Sequence, residues 1–277
     1  MRSSTSYNLW LIAPAALMVG LFFLYPLFFS LYSAITTDEG GLTLAHLEKA
    51  FELYSNDILF TIIIVLASVV LLAILSISIA ALITLSPFRS IVSLLGFIYR
   101  IPLFIPFIVT AQMMRTFLAK NGLMNNAFIA SGMLTPLETV SFLGWSGIII
   151  VFVWKQLAFC TLLITGAMAA LDESQIRAAR NLGASRLRIL FQIMLPQITP
   201  TIGVAMILST VTIMSVLSVP LMIGTGTPTM IATDMAFRIN SYGDYHVANA
   251  LGLVSYLICA GLAWFYLRQS LKDKGAI

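Results

Sequence analysis

Charge is what this sequence has least of. Only 9% of its 277 residues are Asp, Glu, Lys or Arg, against roughly 25% in an ordinary soluble domain. Histidine and cysteine are equally scarce, with two of each. Cys160 and Cys259 lie inside apolar runs, which argues against a disulfide framework and for two buried thiols. His46 and His246 are far apart in sequence and make a weak case for a metal, so no metal site is expected. The net charge is +4, but the cations form no basic stripe interleaved with aromatics, so nucleic acid is not expected as a partner. There is no glycine-rich phosphate loop ending in Gly-Lys-Ser/Thr. No His with Asp or Ser stands ready for catalysis at a membrane face, so no catalytic residue is assigned. Internal repeats, low-complexity tracts and a soluble domain are also missing.

What is abundant is apolar surface, at 60% hydrophobic residues. A soluble core cannot absorb that much, whereas a bilayer can, at about 20 residues per span. Six helical spans are expected, at about 9–35, 59–86, 91–118, 144–170, 199–222 and 248–268. In lipid every backbone group must be bonded internally, which selects helices. The run from Leu9 to Ile35 is too long for a signal-peptide core and reads as an uncleaved first span. The fold class is therefore an all-α membrane protein, with residues 1–277 as a single transmembrane domain.

Lys and Arg in short loops set the orientation. With the N-terminus inside, the inner side holds Arg2, Arg89, Arg177, Arg180, Arg186, Arg188, Arg268, Lys272 and Lys274. The outer side holds Lys49, Arg115, Lys120 and Arg238. Nine against four supports N-in and C-in. Trp10, Trp145 and Trp264 fall near span ends, as an aromatic belt would.

Segment 171–200 is the one substantial inner loop, and its helix punctuation is unusually complete. Asp172 suits an N-cap, with Gln175 three residues on as in a capping box, and Leu171 and Ile176 are placed for a hydrophobic staple. Gly183 ends that helix, of about 173–182. A second short helix, about 186–195, starts at Ser185 and is expected to stop at Pro196. Small residues Ala178, Ala179, Gly183 and Ala184 allow close approach, and Arg177 and Arg180 lie on one face. The plain alternative is an interfacial helix pair with its arginines on lipid phosphates.

The stretch Arg177-Ala178-Ala179-Arg180-Asn181-Leu182-Gly183-Ala184-Ser185, continued to Leu195-Pro196 and Pro200, resembles the EAA loop of ABC importer permeases. Leu11-Ile12-Ala13-Pro14 through Tyr25-Pro26, Asn121-Gly122-Leu123-Met124-Asn125 and Val219-Pro220-Leu221-Met222-Ile223-Gly224 resemble other parts of that family. The Ala-Ala-Arg-Asn-Leu-Gly-Ala-Ser form and the Val-Pro-Leu stretch look most like the polyamine, opine and phosphonate branch, and less like the sugar branch, which usually has an Asp just before the Gly. One position departs: Arg177 stands where the family places Glu.

The resemblance implies a type I importer permease in a bacterial inner membrane. It would form half of the pore for a small polar or charged organic solute. Its partners would be an ATPase dimer, a second permease of different sequence and an external solute-binding protein. ATP and Mg would be held by the ATPase, with no cofactor in this chain. Arg177, Ala178, Ala179, Arg180, Gly183, Ala184, Leu195 and Pro196 would dock the ATPase.

Ionisable groups at membrane depth are costly and often functional. Arg100 in the third span and Lys155 beside Gln156 in the fourth are therefore candidates for the translocation path, with Ser215 on the fifth. A structural pair with a carbonyl is the alternative for each cation. Hydroxyls such as Thr210, Thr212 and Ser215 more often bond their own helix. A secondary transporter working without ATP is the competing function, but it would need acidic coupling residues that the spans nearly lack.

Overall fold

The computed structural model describes residues 4–274. Arg2 lies outside them, and the side chains of Trp10, Lys272 and Lys274 lie outside the described ones. The described chain is helical apart from loops and one isolated bridge, Thr36 to Leu42. Its principal helices are α1 Ile12–Ala34, α2 Ala45–Leu85, α3 Arg89–Ile98, α4 Phe107–Leu118 and α5 Trp145–Ala169. They continue with α6 Glu173–Asn181, α7 Arg186–Ser215, α8 Ser218–Ile223 and α9 Tyr245–Lys274.

Among the described residues, five helices are long and apolar enough to cross a membrane, or six if the bent pair Arg89–Phe104 and Phe107–Ala130 counts as one span. The expected single span at 91–118 is thus corrected to a broken one, bent by 110°. Proline is the reason. Ile105, just before Pro106, is extended at φ −102° and ψ 121°, because the pyrrolidine ring pushes its predecessor out of helical geometry. Ile101–Phe104 forms a single tight 3₁₀ turn with Pro102 in its first positions.

Two further expectations change. The polar segment before the second span is already helical from Ala45, with a break at Tyr54 (φ −123°, ψ 15°). Pro196 does not stop a helix. Leu190–Met194 makes a π turn and the helix continues from Leu195 to Ser215. The widened turn accommodates a residue that lacks the N–H for an ordinary i−4 bond. The fifth span then breaks at Val216, which is extended (φ −82°, ψ 117°), before α8.

The chain divides into two units. One comprises Met1–Ser55 and Asp234–Ile258, the other Asn56–Thr233 and Cys259–Ile277. In the first, no residue in the most apolar stretch of α1 is buried, as befits a helix solvated by lipid. Ser30 donates to Asn249 at 2.8 Å. Arg238 donates to Tyr54 Oη at 2.5 Å and pairs with Asp244, which Lys49 also reaches at 3.2 Å. His46 and His246 come together, with rings stacked at 4.6 Å and 15° apart. Parallel rings do not converge their in-plane lone pairs on one ion, and among the described residues no cluster of three or more metal-ligating side chains occurs.

In the second unit, Ala81, Leu85, Ile164, Met168, Ile189 and Met194 bury a common cluster at one end of α2, α5 and α7. Leu72, Cys160 and Ala205 bury another along the same helices. Both cysteines are free, Cys160 lying 3.0 Å from Ser209 Oγ and Cys259 beside Met214.

Candidate functional site

The segment linking α5 to α7 forms an elbow built from local rules. Asp172 caps α6: its Oδ1 accepts from Ser174 N–H at 2.8 Å and its Oδ2 from Ser174 Oγ at 2.7 Å. The Ser174 hydroxyl and then its amide hold the Asp172 carboxyl below the usual carboxylate range. Ile176 is buried among Met168, Ile189 and Met194, with Leu171 packed on the same cluster, so the expected staple region is apolar as read. The capping box is different. Gln175 Oε1 does not reach back to the cap but accepts from Gln197 Nε2 at 3.0 Å. That bond straps α6 to α7 just past its π turn, and Gln197 had no signal in the local pattern.

At its other end α6 closes in a Schellman motif. Ala184 N–H donates to Ala179 O at 3.0 Å and Gly183 N–H to Arg180 O at 2.9 Å. Gly183 has φ +79°, where a Cβ is strained. A Cβ there would meet nothing within 4 Å, so conformation rather than crowding requires the glycine. Ser185 caps α7 by accepting from Arg188 N–H at 3.3 Å. Leu195 and Pro196, expected at the end of a helix, sit inside α7 just past the π turn.

The elbow leaves apolar surface uncovered. Leu182 is 88% exposed and Leu187 68%. Arg177 and Arg180 are exposed, and Arg177 lies 3.7 Å from Glu173 one turn earlier. Such an exposed pair contributes little, so the Arg177 guanidinium stays available. Beside the elbow, a cavity of about 500 Å³ is lined by Thr84, Ser86, Arg180, Gly183 and Arg186.

The translocation candidates separate. Lys155 Nζ donates to Pro102 O at 2.6 Å and lies 5.3 Å from the Phe107 ring centre. It is spent on the broken span. Gln156 is buried. Arg100 is exposed at the same break, and its contacts are with its neighbour Tyr99: Nε donates to Tyr99 Oη at 3.1 Å and the guanidinium lies over the ring. Ser215, Thr212 and Thr210 bond carbonyls of their own helix, as membrane hydroxyls commonly do.

At the other end of the unit, two polar residues of α2 one turn apart pin the loop after α8. Asp57 accepts from Thr229 N–H, and Thr61 Oγ accepts from Ile231 N–H at 2.9 Å. Asn125 aims its amide at the carbonyls of Ala119, Lys120 and Val140, fixing the loop after α4.

Residues 75–270 match the family described as binding-protein-dependent transport system inner membrane component. The chain belongs to this family. Among curated proteins it is similar to the probable ABC transporter permease protein y4fN of Sinorhizobium fredii (strain NBRC 101917 / NGR234). Identity there is 33% over 135 residues, 49% of this chain and 23% of the relative. It is also similar to the sulfoquinovosyl glycerol transport system permease protein SmoG of Agrobacterium fabrum (strain C58 / ATCC 33970). Identity there is 30% over 128 residues, 45% of this chain and 42% of that one. The chain thus spans less than half the length of these two relatives. Its fold is that of a chain in the crystal structure of a bacterial alginate ABC transporter in complex with an alginate pentasaccharide-bound periplasmic protein. The TM-score is 0.82 at 21% identity, covering 97% of this chain and 96% of that one. The matched region takes in the elbow and both membrane breaks, so the family sits on the elements described above.

Proposed function

We propose that this chain is a permease subunit of an ATP-driven importer, forming half of a pore and taking its drive from a separate ATPase through segment 171–200. One observation carries the coupling role. The elbow is rigidly closed by the Asp172 cap and the Schellman motif, yet it holds Leu182 and two arginines out in the open. A preorganised projection with uncovered apolar surface is what a lever needs on a partner's groove. The partners are an ATPase pair holding ATP and Mg, an external solute-binding protein and a second permease. Arg177 in place of the family Glu favours a second permease of different sequence, which would supply the standard charge.

The solute is read as a saccharide. The named relatives carry sulfoquinovosyl glycerol in one case and alginate in another, and neither name supports the polyamine, opine or phosphonate branch that the motif resembles. Arg100 is the cation left available for an anionic group on such a solute, whereas Lys155 is committed to the Pro102 carbonyl.

Co-purification with the ATPase tests the coupling role. Gly183→Val places a β-branched residue at φ +79° and opens the Schellman turn. Leu182→Asp changes only the exposed contact. Both variants are expected to insert normally and to lose the ATPase. Retention of the ATPase and of uptake by both would refute the docking role.

A further inference from the structure

A cavity of about 220 Å³ opens between the start of α5, α8 and the loop after it, at the end of the unit opposite the elbow. Its wall includes Phe60, Trp145, Thr225, Thr227 and Thr233, together with backbone of the 224–230 segment. None of the lining side chains carries a charge. The geometry points to a contact site for one neutral sugar ring, used as the solute enters the pore; this rests on the saccharide reading above.

Four features support that assignment. The volume lies below the ~300–1,000 Å³ of sites for drug-sized ligands, so it suits a single ring. The Trp145 ring is held at 4.4 Å and 55° to Phe60 while remaining about half exposed. An indole fixed in this way offers an apolar plate with a polar edge, matching the C–H face and hydroxyl rim of a pyranose. The Thr233 hydroxyl is buried and has no hydrogen-bond partner among the described residues. Buried hydroxyls are normally bonded, so this one has capacity to spare beside a polar cavity. Finally, the site is preformed. The loop is pinned by Asp57 and Thr61, and Gly144 N–H donates to Ile223 O at 2.8 Å. Little ordering would be needed on binding.

The absence of any cation in the wall selects against a phosphonate at this position, because it would lose its hydration with no counter-charge in return. A saccharide with an acidic substituent could still place its ring here and leave the acid in water.

Initial uptake rates in intact cells carrying the complete transporter provide the test. Maltose, trehalose and an alginate oligosaccharide serve as saccharide probes; spermidine and 2-aminoethylphosphonate are the charged comparators. Thr233→Val keeps the side-chain volume and removes the hydroxyl. Thr233→Ser keeps the hydroxyl. At equal expression, Thr233→Val is expected to lower uptake of the transported saccharide several-fold through a raised KM, with Thr233→Ser near the parent. Trp145→Phe should give a similar loss. Saccharide uptake unchanged in both Thr233→Val and Trp145→Phe overturns the contact site while leaving the saccharide reading standing. Uptake of a charged comparator and of no saccharide by the parent protein overturns the reading itself. A Thr233→Val defect that appears equally in ATP hydrolysis stimulated by ligand-free binding protein makes the cavity a protein contact, and also overturns the site.

Discussion

The ammonium of Lys155 meets a carbonyl that the chain has stripped of an ordinary helical partner. Pro102 and Pro106 break the third span, and Pro102 O is left with Lys155 Nζ at 2.6 Å and a long bond from Ile105 N–H at 3.4 Å. A backbone acceptor at membrane depth has no water to fall back on. Lys155 therefore acts as a pin for the broken span rather than as an open charge. Lys155→Met keeps the length of the stem and removes the donors. Leaving a buried acceptor poorly bonded costs about 1–3 kcal/mol, so this variant is expected to unfold several degrees earlier than the parent in detergent. Equal unfolding temperatures would remove the pin from the account. The sequence announced that a cation stood at this depth. It could not announce the Pro102 carbonyl, which lies 53 residues away. The same holds for His46 and His246, whose stacking is tertiary and leaves no local pattern.

At the scale of elements, composition and caps were good guides and proline was a poor one. Four spans, at α1, α2, α5 and α9, follow from apolar length alone. The start of α6 follows from Asp172 and its end from Gly183, since capping chemistry is local. Pro196 and Pro106 look alike in sequence, yet one is absorbed just past a π turn and the other stands at the break between a 3₁₀ turn and the start of α4. Packing goes with the difference at Pro196: Ile189, just before the π turn, and Met194, its last residue, are fully buried. Packing also fixes how closely α7 approaches α9. A Cβ on Gly203 would lie 1.9 Å from Tyr266 Cε2, and the Tyr266 hydroxyl donates to Pro200 O. Small residues let membrane helices approach to this degree. Gly203→Ala must push the ring away and break that bond. The expected loss is about 1–3 kcal/mol, the usual range for overpacking. Adding Tyr266→Ala should restore part of what Gly203→Ala removes. Additive losses in the double variant, read from thermal unfolding, would separate the two residues.

For the molecule as a whole, the bent pair poses a question of parity: it either crosses the membrane once or returns to the side it came from. Contacts within one unit answer it. Ser86, Pro87 and Phe88, at the end of α2, line the same cavity of about 670 Å³ as Arg186, Leu187 and Phe191, at the start of α7. The two places are therefore on one side of the bilayer. Between them run the bent pair and α5, and α5 is one continuous helix of 25 residues, long and apolar enough for a single crossing. The bent pair must then cross once as well, which makes six spans. Charge agrees. A single crossing puts Arg89 on the same side as Arg177, Arg180, Arg186 and Arg188, whereas a re-entrant hairpin would divide them and oppose the positive-inside bias. Crossing also places the 119–143 loop on the far side, with Leu137 at its tip 96% exposed. Single cysteines read this directly once Cys160 and Cys259 are replaced by Ala. Leu137→Cys should react with an impermeant maleimide in intact cells, and Leu182→Cys only after the membrane is opened. The reverse pattern, Leu182→Cys labelled in intact cells and Leu137→Cys only after the membrane is opened, would make the pair re-entrant and would put the elbow on the face opposite to the one the proposed docking needs.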